Sequence, residues 1–395
     1  MGTEKRYYEN PYARSIMALV TKIDGDKVYL NKTIAYPEGG GQPGDKGTLN
    51  NKEFIDTQKD GDLVYHLCPN NNFSVGDKLL LNLDWDYRYT YMKVHTAQHI
   101  LSGILYNKFF VGTLSVHQGA NILTIETDKE NFDEQHCYFL ENEANKSINR
   151  CEKISYREMD EDKAQKLTLR RSIKAHGLIR VVDIANVDSI ACGGLHVENT
   201  GEVNYVLYVG QEIVRSHVRL LFKVGDEAKR TLRLMQTIVD ELNVRHSAQA
   251  FELLDIDEKN TTKIIEFEKE NRELTQLVAN TVLTTFINKY KDVDVIISED
   301  VSEYPFELSA FNDLVKSHDM ALLFIKKIED EIRWLIYLGP SYDYISLKNL
   351  KSELFSIVNA KGGGRPPLFQ GKADNTETDK FLSSFRKLIN EQKKE

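Results

Sequence analysis

The chain has 395 residues and a mass of 45.4 kDa, enough for two to four compact domains with buried cores. Its 41% hydrophobic and 28% charged residues are ordinary for a globular protein and exclude a disordered or disulfide-dense chain. The formal net charge of -9 excludes a protein that coats nucleic acid through bulk positive charge, so any contact with nucleic acid has to be a local patch.

The cysteines and the apolar runs indicate the compartment. Cys68, Cys137, Cys151 and Cys192 lie on unrelated segments, which is typical of free thiols rather than of a disulfide framework. The sequence has no apolar leader and no run of 18 apolar residues. We therefore expect a reduced, cytoplasmic protein without membrane contact.

Short β-like runs separated by Gly, Asn and Asp turn signals occupy the chain from about Ala18 to Leu83. They favour a small β-barrel or an open sheet, and residues 1–88 are predicted to form an N-terminal β-barrel. A helical period follows, and then further strands and another helix, so residues 89–224 are predicted to form an α+β domain. The predicted fold class is α+β.

The second half of the chain is more helical. Residues 225–290 are long, charged and helical in period, which predicts a helical hairpin with a weakly helical interruption from Leu254 to Asn260. Residues 291–395 alternate strands and helices, which predicts a small C-terminal α/β domain. The hairpin is expected to be either a spacer or a homodimer contact, because apolar positions at helical spacing fit both, and the C-terminal domain is a second candidate for the dimer contact.

Two short segments carry metal-binding side chains. His95-Thr-Ala-Gln-His99 places two imidazoles on one face of a helix, although two surface histidines explain that spacing as well. Cys192-Gly-Gly-Leu-His196 adds a thiol and a third imidazole on a loop, since Gly-Gly favours a tight turn. Together they form a donor set suited to tetrahedral Zn²⁺, whereas a merely buried cysteine is the ordinary alternative. Four ligands favour a structural or positioning ion and three leave room for a reactive water, and the sequence leaves both open.

A glycine-rich segment, YPEGGGQPGDKG, follows one of the predicted strands and lacks the Gly-Lys-Ser/Thr ending of a phosphate-binding loop. Glycines in this loop and in the cysteine loop would let the backbone approach a substrate: Gly40, Gly41, Gly193 and Gly194. Gln42 would bring an amide to that ligand, and Thr33 a hydroxyl. The alternative is a tight turn in which both polar side chains are solvated.

The segments YPEGGGQPGDKG, HTAQH and CGGLHVENTGEV, in this order and separation, resemble the editing domain of alanyl-tRNA synthetases and of the free-standing AlaX proteins. This resemblance covers about residues 15–222. The remainder is similar to the C-terminal part of the same synthetases, a helical hairpin and a DHH-associated domain, through KGGGRPPLFQGKAD. The resemblance implies a zinc-dependent aminoacyl-tRNA deacylase that removes serine, with glycine as a second candidate, from mischarged alanine tRNA.

The resemblance also implies roles for individual residues. The implied zinc ligands are His95, His99, Cys192 and His196. Thr33 matches the threonine that would contact the substrate hydroxyl, and Gln42 matches the loop glutamine, so both are assigned to catalysis. Leu195 stands where these proteins often carry threonine, which removes a hydroxyl beside the metal.

Local basic residues are the candidates for tRNA contact: Arg170, Arg171, Lys174, Lys361 and Arg365. A solvated charged face explains them as well, and the resemblance favours tRNA. The chain opens directly at the predicted barrel, so we expect it to act in trans without an aminoacylation core. It also lacks an Asp-His-His motif, which counts against a DHH phosphoesterase.

Two other functions use the same motifs. One is a zinc-stabilised, catalytically silent tRNA-binding module, in which the metal only maintains the fold. The other is a metal-dependent hydrolase of a different small ester or amide. The sequence does not settle the preference between serine and glycine or the oligomeric state.

Overall fold

A computed structural model describes residues 2–167, 169–173, 177–290, 296–329, 331–374 and 377–392. It divides into two compact units, Met1–Val244 and Arg245–Glu395. Lys174, one of the residues predicted to contact tRNA, lies outside the described residues. Within those residues, no helix is long and apolar enough to cross a bilayer. The finer division into four domains stays a prediction.

The first unit combines several sheets with helices, which confirms the α+β class. Its strands are β1 (Glu4–Lys5), β2 (Ser15–Asp24), β3 (Lys27–Leu30), β4 (Lys32–Thr33), β5 (Gly47–Leu49), β6 (Lys52–Phe54), β7 (Asp56–Asp60), β8 (Leu63–Leu67), β9 (Lys78–Leu83), β10 (Thr113–Gln118), β11 (Leu123–Thr127), β12 (Ile154–Asp160), β13 (Leu178–Ile184), β14 (Asp188–Ala191), β15 (Val206–Val214) and β16 (His217–Val224). Its helices are α1 (Trp85–Phe109), α2 (Glu134–Asn149), α3 (Glu161–Ala164) and α4 (Asp226–His246).

The N-terminal strands form a seven-stranded sheet in the order β6-β5-β9-β2-β3-β8-β7. The long strand β2 pairs with β9 through its first half and with β3 through its second half, so it bends the sheet around an apolar core. The predicted β-barrel is not closed, because the described ladders do not join the edge strands β6 and β7, and the open sheet given as its alternative is what these ladders form. These two strands are consecutive in the chain and separated only by Ile55. The two edges of the curved sheet are therefore joined by the backbone at Ile55 and not by a hydrogen-bonded ladder.

The rest of the first unit surrounds α1. A four-stranded sheet (β10-β11-β16-β15) and a three-stranded sheet (β12-β13-β14) share one apolar cluster with α1 and α2. Helix α1 begins where the Asp84 side chain accepts from the Tyr87 N–H, and it ends at Phe110, which has a left-handed φ of 54°. Because α1 is buried over most of its length, its polar side chains need partners inside the protein.

The second unit contains β17 (Ile296–Asp300), β18 (Ala321–Ile328), β19 (Glu331–Leu338), β20 (Lys361–Arg365) and β21 (Leu368–Asp374), with helices α5 (Leu253–Lys289), α6 (Leu347–Glu353) and α7 (Thr378–Gln392). The strands form one sheet in the order β17-β18-β19-β21-β20. Alternate residues of β18 pack on its two faces: Leu323 lies in the cluster with α6 and α7, and Leu322 in the cluster with the end of α5. The unit is therefore a sheet covered on both faces.

The break between the two long helices lies earlier than predicted. Residues 254–260, expected to interrupt the helical region, are part of α5. The chain instead turns after α4 at Ser247, whose φ is 51°, and α5 is preceded by a short 3-10 turn at Ala250–Glu252. The weak helix propensity of Asp and Asn is thus overridden within a long helix. The predicted hairpin packing itself stays a prediction.

Candidate metal centre

The two predicted metal-binding segments meet in the first unit. His95 and His99 come from α1, while Cys192 and His196 come from the loop that follows β14. One ligand atom from each of the four residues lies within 4.8 Å of the others. The three imidazole rings have centroids 4.4 to 5.0 Å apart and are almost completely buried. The four predicted ligands therefore form one compact cluster, which we call the four-ligand cluster.

A buried ion pair attaches α1 to the glycine-rich loop. Arg88 lies two helical turns before His95, and its Nε is 2.9 and 2.8 Å from the two carboxylate oxygens of Asp45. The guanidinium also donates to the carbonyls of Pro11 and Ile34. Both charged side chains are at most 2% exposed. Because all these partners belong to the N-terminal segment and the loop, the ion pair fixes α1 against them.

The glycine-rich loop is a tight turn that aims Gln42 into the protein. The backbones of Gly39 and Gln42 exchange hydrogen bonds, while Gly40 and Gly41 have φ of 62° and 85°, a geometry that favours glycine. The Gln42 side chain is 1% exposed. The loop is therefore the tight turn that the alternative interpretation predicted. Gln42, however, is buried and not solvated as that interpretation required.

Gln42 contacts His95 at Nδ1, the ring nitrogen that does not contact Cys192. Its Oε1 accepts from the Leu195 N–H at 2.9 Å and lies 3.0 Å from His95 Nδ1. Since the same oxygen accepts from an amide, His95 Nδ1 is the protonated nitrogen, and its Nε2, 3.4 Å from Cys192 Sγ, keeps a free lone pair. Gly194 is required here, because a Cβ at that position would come within 1.9 Å of the His95 ring.

His99 has a carboxylate partner that the sequence analysis missed. Its Nδ1 lies 2.9 Å from Asp188 Oδ2, at an angle short of good hydrogen-bond alignment. Arg170 in turn holds Asp188 through two contacts of 2.7 and 3.2 Å. Asp188 is 1% and Arg170 6% exposed by side chain, so Arg170, predicted to bind tRNA, has its charge paired inside the protein. The ion pairs hold the pKa of Asp188 below its usual range although burial opposes this.

His196 is oriented by Thr96, which lies between the two histidines of α1. The Thr96 hydroxyl donates to the Met92 carbonyl, so it acts as an acceptor towards His196 Nδ1 at 3.4 Å. His196 Nε2 is buried and has no hydrogen-bond partner among the described residues. In all three imidazoles Nδ1 thus faces a protein group and Nε2 is left for another ligand.

The charges of the cluster suit a metal ion. Burial alone would raise the pKa of the Cys192 thiol, but the His95 and His99 imidazoles hold it well below its usual range. Burial, together with the charges of His95 and His99, lowers the pKa of His196 to about 3. A thiolate at Cys192 and a neutral imidazole at His196 are the protonation states that a metal requires, whereas, against the lowering effect of burial, Cys192 and Asp188 raise the pKa of His99 to about 9, so His99 has to release a proton when a metal binds. Together with the unpartnered His196 Nε2, the thiolate and the neutral imidazole show that these residues fit a cation that prefers nitrogen and sulfur donors.

The remaining predicted site residues lie in different surroundings. The Thr33 hydroxyl is fully buried in the N-terminal sheet, where it accepts from the Ala35 N–H and lies 2.9 Å from His66 Nε2. The Gly193 carbonyl accepts from the Tyr8 hydroxyl at 2.9 Å. Exposed positions are occupied by Arg171, Lys361 and Arg365. A role for Thr33 in selecting the substrate and for these basic residues in tRNA contact stays a prediction.

Three supporting residues escaped the sequence analysis: Thr96, Arg180 and Asp188. Arg180 donates to the carbonyls of Cys192 and Gly194 and so holds the cysteine loop. Thr96 had a signal, since it lies inside the HTAQH segment. Asp188 and Arg180 had none, because only the β13–β14 pairing brings their strands beside α1 and the loop.

Two family models match the chain. The model described as tRNA synthetases class II (A) matches residues 4–87, which include the glycine-rich loop. The model described as threonyl and alanyl tRNA synthetase second additional domain matches residues 179–220, which include Cys192 and His196. Both matches fall in the first unit.

Whole-chain comparisons agree. The chain is 26% identical over 403 residues to the alanyl-tRNA editing protein AlaX-L of Pyrococcus horikoshii, covering 98% of each chain. It is 29% identical to the alanine–tRNA ligase of Methanococcus aeolicus and 26% identical to that of Pyrococcus abyssi, covering 95% and 98% of this chain. It spans 42% and 44% of those ligases, less than half of their length. The predicted resemblance to AlaX proteins and to part of the alanyl-tRNA synthetases is confirmed.

Proposed function

We propose that this chain, a relative of alanyl-tRNA editing proteins, hydrolyses in trans the ester of alanine tRNA mischarged with serine, and secondarily with glycine. The observation that carries the proposal is the four-ligand cluster, in which the protein engages Nδ1 of every imidazole and leaves Nε2 for a metal. Its donors are three nitrogens and one sulfur, the set that zinc accepts in proteins.

The substrate ester is already reactive, so the protein has to position it and stabilise the oxyanion of a tetrahedral intermediate. Zinc bound to His95, His99, Cys192 and His196 would position the aminoacyl group, and it would act as a Lewis acid on the ester if it expanded to five ligands or released one of the four. The chain's own residues preorganise the site. Gln42 fixes the His95 tautomer and the Leu195 backbone, while Arg180 fixes the carbonyls of the cysteine loop. Gln42, assigned above to catalysis, therefore fits a positioning role.

Discrimination of serine from alanine requires a group that bonds to the extra hydroxyl. Thr33 remains the proposed group, and its hydroxyl would have to leave His66 or share it with the substrate. Contact with the tRNA body is proposed for the exposed Arg171, Lys361 and Arg365, because their charges are accessible to phosphates.

The test is the deacylation rate of seryl-, glycyl- and alanyl-tRNA, all on alanine tRNA, by the zinc-loaded protein. We expect rapid loss of serine and slow loss of alanine, with activity abolished by His99→Ala and retained by His246→Ala. The control removes an exposed histidine of α4. If tRNA is bound and no ester is hydrolysed, the silent tRNA-binding module replaces this proposal. If esters without RNA are hydrolysed equally fast, the other small-ester hydrolase replaces it.

A further inference from the structure

The start of β14 packs closely against α1, one helical turn after His99. A Cβ at Gly103 would come within 2.3 Å of the Val187 carbonyl oxygen and 3.0 Å of the Asp188 Cβ, so only glycine allows this approach. The Asn107 side chain donates to the same Val187 carbonyl at 2.8 Å. Two residues of α1 therefore seat Asp188 beside the helix that carries His99.

The two oxygens of the Asp188 carboxylate have different partners. Oδ1 accepts from Arg170 Nε at 2.7 Å, and Oδ2 accepts from Arg170 Nη2 at 3.2 Å. Oδ2 also lies 2.9 Å from His99 Nδ1. Because the N–H groups of a guanidinium are fixed in one plane, this pairing sets the plane of the carboxylate as well as compensating its charge. The direction in which Oδ2 faces His99 is therefore set by Arg170.

Arg170 is itself held in place. Its backbone N–H donates to the carbonyl of Ser189, which follows Asp188 in β14, at 3.2 Å. Its side chain is 6% exposed. Since both the backbone and the side chain of Arg170 contact β14, the guanidinium is fixed relative to the carboxylate that it holds. A guanidinium engaged in this way is not free to meet the phosphates of an RNA.

The imidazoles of the four-ligand cluster have Nδ1 partners of different kinds. His95 and His196 face neutral groups, an amide oxygen and a hydroxyl. His99 faces a carboxylate, and a contact with an ionised acceptor is about twice as strong as one with a neutral acceptor. Its angle is short of good hydrogen-bond alignment, so a rotation of the carboxylate changes this contact. Such partners orient a metal-binding imidazole and strengthen it as a donor, so the support of His99 depends on how the carboxylate is held.

We propose that Arg170 is a positioning residue of the metal centre, which holds the Asp188 carboxylate in the orientation that supports His99 as a ligand. The inference rests on one part of the proposed function, the binding of zinc by the four-ligand cluster. It replaces the tRNA contact expected of Arg170 with a role inside the protein. Arg170 acts through its planar pair of N–H groups, because its positive charge alone would disfavour a nearby cation.

The direction of the change in zinc affinity tests the proposal. If Arg170 contributed only its charge, Arg170→Met would strengthen zinc binding and Arg170→Lys would leave it unchanged. A positioning role predicts instead that both variants weaken zinc affinity by about tenfold, measured by competition with a chromogenic chelator. Arg157→Met is the matched control, since it removes the arginine that pairs with Asp183 on the same sheet, and it should leave zinc affinity unchanged.

A cavity of about 390 Å³ beside Arg170 and Asp188 allows a second test. Tyr106, which also lines it, is 44% exposed, so a small molecule can enter from solvent. In Arg170→Ala, millimolar ethylguanidinium should restore zinc affinity, whereas ethylammonium, with the same charge and no planar pair of N–H groups, should not. The absorption bands of the cobalt-substituted protein, which report ligand geometry, should return towards the wild-type spectrum with ethylguanidinium alone.

Melting temperatures show whether each variant is folded, and Arg170→Lys decides the test if Arg170→Met is not. Zinc affinity that rises in Arg170→Met, or that Arg170→Lys retains, overturns the inference, because charge would then explain the role of Arg170. Equal rescue by the two cations also overturns it. If the wild-type protein binds zinc and hydrolyses no ester, the proposed function falls while this inference stands. If the wild-type protein binds no zinc, both fall.

Discussion

Two long helices of this chain differ in the kind of side chain that they bury and expose. Helix α1 buries polar side chains, among them Arg88, His95 and His99, inside the first unit. The first two-thirds of α5 exposes apolar side chains: Leu254, Ile264, Ile265, Phe267, Leu274 and Leu277. A buried polar group is costly unless it is paired, so the α1 side chains are tied to specific partners elsewhere in the chain. The apolar side chains on this part of α5 are largely exposed, so no comparable pairing is required of them.

The largest effect should come from breaking the ion pair that anchors α1. Arg88→Met leaves Asp45 buried without its partner, and we expect the first unit to lose about 3 to 5 kcal/mol of unfolding free energy. Urea denaturation measures the loss. Arg230→Met, which removes an exposed arginine of α4 paired with Glu227, should change it by less than about 0.5 kcal/mol.

The double variant Arg88→Met with Asp45→Leu sharpens this prediction. It removes both buried charges, so it should be more stable than Arg88→Met alone. A double variant as unstable as the single one would mean that the neutral hydrogen bonds lost with the pair, from Arg88 to Pro11 and Ile34 and from the Tyr36 N–H to Asp45, outweigh the charges.

His66 extends the comparison to a buried imidazole that has no acid partner in the described part of the chain. Its Nδ1 faces the Val28 carbonyl and so carries the proton, while Nε2 accepts from the Thr33 hydroxyl. Burial lowers the pKa of His66 to about 4, below its ordinary value of 6.5. The unfolded chain therefore binds the extra proton between those pH values, and the stability present above pH 6.5 should fall by up to about 3 kcal/mol as the pH approaches 4.

Denaturation of the wild-type protein and of His66→Gln at several pH values checks this expectation. The variant has no titrating group at this position, so its stability should depend less on pH between 6.5 and 4. Parallel pH profiles for the two proteins would show that the buried imidazole is not what links stability to pH in this window.

A smaller effect should appear where Asp188 holds His99. We expect Asp188→Asn to weaken zinc affinity by about 10- to 100-fold, because the amide no longer offers His99 a negative charge. Competition with a chromogenic chelator measures it. Asp183→Asn is the control, since Asp183 lies on the same β13–β14 hairpin and pairs with Arg157. Equal zinc affinity in the two variants would mean that Asp188 pairs with Arg170 but does not support zinc binding through His99.

The difference between local motifs and long-range contacts explains what the sequence could predict. The members of the four-ligand cluster could be predicted to come together because each motif is local: a helical spacing for His95 and His99, and a Gly-Gly turn between Cys192 and His196. Asp188 could not be found, because it reaches His99 only through strand pairing, and sequence spacing contains no such register.

The barrel prediction failed for a related reason. Strand-like runs indicated that this segment consists of short strands, yet closure depends on how β6 and β7 meet at Ile55, which no propensity describes. Among the basic residues predicted to contact tRNA, Arg170 is paired with the buried Asp188, a partner that the sequence could not reveal because the contact is not a local one.

The smallest expected effect concerns the exposed apolar side chains of α5. Phe267 is 65% exposed, and Phe286, near the end of the same helix, is 9% exposed and packs in the core of the second unit. Phe267→Ala should change the unfolding free energy by less than about 0.5 kcal/mol. Phe286→Ala, the matched control, should cost about 3 to 5 kcal/mol because it leaves a cavity.

Sedimentation of wild-type and Phe267→Ala protein at equal concentration completes this test. An unchanged stability and mass would mean that Phe267 is as free in solution as its exposure indicates, and the spacer role predicted for the helical region would fit. A loss of more than about 2 kcal/mol would contradict the prediction, because a cost of that size requires that the ring be covered. A change in mass with that loss would identify a second copy of the chain as the cover, and the predicted homodimer contact would then lie on the exposed part of α5.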